Sequence, residues 1–163
     1  MARLSYIQVD RVCNQSCIFC SNPETGAFMP LAKAKALVDM YKSNGDDGVI
    51  ISGGEPTLYE DLAKLIAYCR QRDMPARIIT NGQKTADLQY FRSLVDAGLD
   101  GIEVFHHRLD SAAREHFLKL AKRFGLLLTG GSDLHGWGTT FDQLGREPVS
   151  DEMIEMLRDR AAR

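Results

Sequence analysis

The sequence has no apolar run approaching the roughly 18 residues of a membrane-spanning helix, so no bilayer span is expected. It has no excess of charge. Its 20 basic and 22 acidic residues leave a formal net charge of −2, without the broad basic field that nucleic acid or an anionic membrane would require. The start, MARLSYIQVD, lacks the apolar core of a secretory leader, so the reducing cytoplasm is the expected setting. Low-complexity tracts, linkers and close repeats are absent, and tryptophan occurs once. Histidine is scarce, and His106, His107, His116 and His135 are the complete set.

What is present is ordinary in bulk and unusual in arrangement. A chain of 163 residues, 44% hydrophobic and 26% charged, is long enough for one globular domain that buries its own core without disulfide staples. Three of the four cysteines crowd into CNQSCIFC, as Cys13, Cys17 and Cys20, a grouping that suits a shared metal or cluster better than disulfides. Cys69, in LAKLIAYCRQR, reads as a small buried hydrophobe on a helix.

Periodicity predicts strands at 4–10, 48–52, 76–80, 100–105 and 126–129, and helices at 31–44, 60–72, 86–97, 111–124 and 151–161. Gly45, Gly98 and Gly125 suit helix C-caps, and Asp110 or Ser111, then Ser150, suit N-caps. The alternation predicts an α/β fold, a single domain over 1–163 that ends in a helix near 150–163. A closed eight-stranded barrel needs about 250 residues. About five parallel strands with outer helices therefore imply a partial (βα) barrel or an open sheet. The free edges of such a sheet leave a homodimer as one way to cover them. Reactive groups in parallel α/β folds sit at the carboxyl ends of strands. The cysteine loop, Gly53 to Thr57, Thr80-Asn81-Gly82, His106-His107 and Gly130 to His135 all follow predicted strands.

The loop CNQSCIFC can wrap a cubane so that three thiolates bind three irons, leaving the fourth iron open to an exogenous ligand. Structural zinc closed by His106 or His107, and thiols without metal, are the alternatives. In SGGEPTL, from Ser52 to Leu58, Gly53 and Gly54 permit close backbone approach to a ligand. Their carbonyls and Glu55 suit an ammonium group.

CNQSCIFC, with Phe19 before its last cysteine, resembles the cluster loop of radical S-adenosylmethionine (SAM) enzymes. SGGEPTL resembles the loop that holds the amino end of SAM in that family, and ITNG, Ile79 to Gly82, also fits. The resemblance runs over about residues 4–104. It implies a [4Fe-4S] cluster on Cys13, Cys17 and Cys20, with SAM chelated to the open iron and held by Gly53, Gly54 and Glu55. Phe19 and Asn81 would flank it. It further implies one-electron cleavage of SAM to a 5′-deoxyadenosyl radical, with an electron donor as partner and a small molecule or peptide as substrate. The catalytic residues beyond this set are not given by the motifs.

Residues about 98–138 resemble instead the end of a polymerase and histidinol phosphatase (PHP) domain, most specifically in TGGSDLHG, Thr129 to Gly136. That resemblance implies zinc or manganese on Asp133 and His135, with His106 as a further ligand or phosphate contact. It also calls for an amino-terminal His-x-His pair, which this chain does not contain. The expected function is thus a radical SAM iron–sulfur enzyme, intact, degenerate or chimeric. A PHP-type phosphoesterase fragment and a non-catalytic chimera of the two are the alternatives.

Overall fold

The computed structural model describes residues 2–18, 20–22, 25–132 and 145–161. The chain divides into two compact units, Met1–Gly98 and Leu99–Arg163.

In the first unit, strands β1 (Leu4–Gln8), β2 (Gly48–Ser52) and β3 (Ala76–Ile78) alternate with helices α1 (Leu31–Ser43), α2 (Leu62–Gln71) and α3 (Leu88–Ala97). The strands are parallel in the order β1-β2-β3, with Ile7 opposite Ile51 and Ile51 opposite Ile78. Strand β2 is central because GVIIS is apolar enough to be covered on both faces, with its backbone paired on both edges. Ile7, Val9, Val49 and Ile51 are fully buried and form the sheet's part of the core. Helix α1 packs on β1 and β2, and α2 packs on α1 and α3. Ala34 and Val38 of α1 are fully buried, as is Leu65 of α2, while Phe91 of α3 is 2% exposed. Single 3₁₀ turns follow β2, at Pro56–Leu58, and β3, at Gln83–Ala86.

In the second unit, β4 (Gly101–His106) and β5 (Leu127–Gly131) form a parallel pair joined by α4 (Ser111–Phe124) and followed by α5 (Asp151–Ala161). The ladder sets Gly101 beside Leu127 and His106 beside Gly131, with an irregularity between Glu103 and Phe105. Asp110, rather than Ser111, is the N-cap of α4, and its carboxylate accepts from Ala113 N. Gly125 ends that helix in the left-handed conformation that favours glycine. Arg114 of α4 pairs with Glu147 at 3.0 Å.

The α/β architecture and the parallel strands agree with expectation. Among the described residues the first unit holds a three-stranded parallel ladder and the second a two-stranded one. Strand β3 is shorter than 76–80. Thr80 Oγ and Asn81 N turn away to donate to the Glu55 carboxylate, which takes the chain out of the ladder. No helix among the described residues is long and apolar enough to cross a membrane.

Leu65 is fully buried in the core of the first unit. Leu65→Ala is expected to lower stability by about 2–5 kcal/mol, from lost burial plus the cavity left behind. Urea unfolding of the full chain measures it; an unchanged midpoint would mean that α2 does not seat as described.

Candidate metal centre

The cysteine loop is held at its base by backbone on both sides. After β1 the chain runs through residues 9–12, passes the thiols, and returns antiparallel to itself. Met29 N donates to Val9 O and Arg11 N to Ala27 O, both at 2.8 Å, and Asp10 bridges Phe28. On the other side the turn after β2 docks onto the same residues. Gly54 N donates to Asp10 O at 3.2 Å and Glu55 N to Val12 O at 2.8 Å.

This contact explains the paired glycines. A Cβ on Gly54 would lie 2.2 Å from Val12 O, and one on Gly53 would lie 2.7 Å from Asp10 O. The sequence suggests glycines that make room for a ligand; in the fold they make room for the backbone of residues 10–12.

Inside this frame the three thiols line one cavity of about 170 Å³, together with Arg11, Gln15, Ser16, Asn22 and Gly54. Cys13 is half-buried, Cys17 and Cys20 are exposed, and none of the three is in a disulfide among the described residues. Cys20 N donates to Cys17 O at 3.0 Å, closing the turn between the last two. Among the described residues Arg11 brings the one formally cationic side chain to the cavity wall. It is steadied by bonds to Asn22 Oδ1 at 2.8 Å and Gln8 Oε1 at 2.9 Å.

Glu55 is 1% exposed and its carboxylate is taken up within the fold. Oε1 accepts from Thr57 N at 2.9 Å, Thr57 Oγ at 2.6 Å and Thr80 Oγ at 2.5 Å, and Oε2 accepts from Asn81 N at 2.7 Å. It also N-caps the 3₁₀ turn at Pro56–Leu58. From the far side Lys84 Nζ, at 2.9 Å, and Tyr90 Oη, at 3.1 Å, donate to Thr57 O. Burial, and then the Glu55 charge, push the Tyr90 phenol up to about 12.

Asp10 is 2% exposed. Its Oδ1 accepts from Gly54 N at 2.8 Å, and its Oδ2 finds no donor among the described residues. Burial pushes its carboxyl above the ordinary value of 3.8, with the nearby Glu55 charge acting in the same direction.

Of the residues singled out from the sequence, the fold brings Cys13, Cys17, Cys20 and Gly54 to one cavity. Asn81 is tied to Glu55 by its backbone and to Asn14, beside Cys13, by its side chain. Phe19, Asp133 and His135 lie outside the described residues. His106 ends β4 in the second unit, where its Nδ1 accepts from Arg108 N at 3.1 Å and its ring stacks on His107, centroids 4.7 Å apart. Asp10, Arg11, Asn14 and Thr57 were not singled out. Asp10 alone had a visible signal, an acid closing an apolar strand.

The donor set fits an iron–sulfur cluster. Cys13, Cys17 and Cys20 line one cavity, and among the described residues no carboxylate or imidazole lines it. Among the described residues no three His, Cys, Asp or Glu side chains are grouped so as to hold one metal ion.

Comparison with known proteins gives the family. Residues 7–126 match the Radical SAM superfamily. The chain belongs to that superfamily. Membership implies a [4Fe-4S] cluster and SAM. The chain is 36% identical over 98 residues to Fe-coproporphyrin III synthase of Methanosarcina barkeri, covering 58% of this chain and 24% of that protein. It is 37% identical over 120 residues to a probable GTP 3',8-cyclase of Saccharolobus islandicus, covering 70% of this chain and 37% of that protein. This radical SAM chain thus spans well under half the length of these curated relatives. In fold it is similar to BtrN, solved with AdoMet and 2-DOIA, at a TM-score of 0.57 and 19% identity, covering 83% of this chain and 59% of that one. It is also similar to Streptococcus suis SuiB bound to S-adenosylmethionine, at a TM-score of 0.53 and 14% identity, covering 99% and 45%.

Two outcomes follow from the frame. Gly54→Ala is expected to cost about 1–3 kcal/mol in urea unfolding, because the added methyl meets backbone that cannot turn aside. The Asp10 carboxyl binds its proton more tightly folded than unfolded, so its contribution to stability falls as pH rises above 3.8. Urea midpoints of the parent, compared with Asp10→Asn, should therefore decline from pH 4 toward neutrality; parallel curves would show that Asp10 titrates alike in both states.

Proposed function

We propose that Cys13, Cys17 and Cys20 hold a [4Fe-4S] cluster whose open iron takes SAM, and that the chain is the cluster-binding part of a radical SAM enzyme. The observation that carries this reading is the single cavity lined by the three thiols and Gly54. When bound, the cluster supplies the single electron that reductively cleaves SAM, which makes a one-electron donor a necessary partner.

The chain's own residues divide the work. The three cysteines enter as thiolates, because only the deprotonated sulfur is a good ligand. Arg11, on the same wall, offsets part of their negative charge. Gly53 and Gly54 offer carbonyls to an ammonium, the group that SAM carries at its amino end. Glu55 acts through the backbone it fixes: its four accepted bonds hold the turn that carries Gly54. Asn81 flanks the site from the turn after β3, and Phe19 is proposed beside the last cysteine. The substrate is a small molecule or peptide bound outside this set.

Anaerobic reconstitution with iron and sulfide, followed by metal analysis and paramagnetic resonance of the reduced protein, tests the reading. About four irons per chain, and a signal that SAM perturbs, are expected. Cys17→Ala should bring iron to background, and unchanged iron content in that variant would sink the assignment. A chain that takes up no iron, yet holds zinc or manganese lost in His135→Ala, would move the site to His106, Asp133 and His135 and favour the phosphoesterase reading.

A further inference from the structure

The cysteine loop and the turn after β3 are joined by a closed ring of amide hydrogen bonds. Asn81 Nδ2 donates to Asn14 Oδ1 at 2.7 Å. Asn14 Nδ2 donates to Gln83 Oε1 at 2.9 Å. Gln83 N donates to Asn81 Oδ1 at 3.1 Å and closes the ring. The two bonds to Asn14 span 67 and 69 residues of chain. The ring stands on a fixed base, because Asn81 N donates to the buried Glu55 carboxylate at 2.7 Å and Gly82 N to Thr80 Oγ at 3.0 Å.

We propose that Asn14 is a positioning residue, which through this ring holds the cysteine loop in the shape that turns its three thiols to one cavity. The inference rests on the reading that those thiols hold one cluster. Asn14 follows Cys13 directly, so fixing its side chain limits the freedom of the loop where the first ligand enters. A loop ordered in advance does not have to be ordered by the cluster it receives.

The choice of amides follows from their chemistry. A primary amide both donates and accepts, so Asn81 and Asn14 each give one bond and take one, while Gln83 takes one at its side-chain oxygen and gives one from its backbone N–H. They do so without charge. A carboxylate at position 14 would repel the thiolates beside it, and an ammonium would pair with them. Single bonds at this exposure compete with water and are weak alone. A closed ring makes each bond depend on the others, so removing one member should cost as much as removing two.

The test uses the full chain with and without metal, as parent, Asn14→Ala, Asn81→Ala and the double variant. In the metal-free protein, amides of residues 15–18 are expected to exchange with solvent deuterium about tenfold faster in each single variant, and no faster still in the double. Urea midpoints should stay at the parental value. After reconstitution, each variant should release iron to a chelator about tenfold faster than the parent, equivalent to about 1.4 kcal/mol. Parental exchange rates in the single variants would overturn the proposal, as would effects that multiply in the double. Midpoints that fall in step with the exchange would also overturn it, since the ring would then serve general stability. A parent that binds no iron while its variants still loosen the loop would overturn the cluster reading, and with it this use of the ring.

Discussion

A carboxylate out of reach of water governs this fold. An ionised acid in a low-dielectric interior costs several kcal/mol unless its oxygens are satisfied. Glu55 is 1% exposed, and its donors come from two places, the residues that follow it and the turn after β3. Burial of that one group therefore obliges two neighbouring strand ends to meet. Once they do, the glycines preceding Glu55 are pressed against residues 10–12, and the cysteine loop inherits a rigid floor. The cavity at the thiols is the last product of a chain of constraints that begins in the interior.

Much of this was legible in the sequence, for identifiable reasons. Helices α4 and α5 match their expected spans because Asp110, Gly125 and Ser150 mark their ends by local chemistry. Strand β2 was legible as an uninterrupted apolar run. The three cysteines and the Gly-Gly-Glu turn stood out because few other structures need those residues in that order. What remained hidden depends on register. Nothing in GGEPT says whether the glutamate faces a ligand or the interior; the pairing of β2 with its neighbours decides that. The 3₁₀ turn at Pro56–Leu58 had a faint signal, an acid followed by proline and threonine. The bridge from Asp10 to Phe28 had none, since it joins segments across an irregular loop.

The first unit combines two kinds of order. Its apolar layer of Ile7, Val9, Val49 and Ile51 is non-directional and tolerates many sequences of similar volume. The polar layer above it, Asp10, Glu55, Thr57, Thr80 and Asn81, is directional, and each donor has one acceptor that suits it. A fold can be stable through the first and still lack a defined rim without the second. The cysteine loop sits on the second, which is why few of its contacts can be exchanged without changing where a thiol points.

The fourth cysteine gives the molecule an internal clock for its own opening. Cys69 is 1% exposed on α2, and burial pushes its thiol up to about 11, so it is neither reachable nor ionised while the first unit is closed. The other three sulfurs face a cavity. A thiol-specific label therefore divides the cysteines by kinetics: three additions record the loop as it stands, and the arrival of a fourth dates the moment at which the core beneath it comes apart.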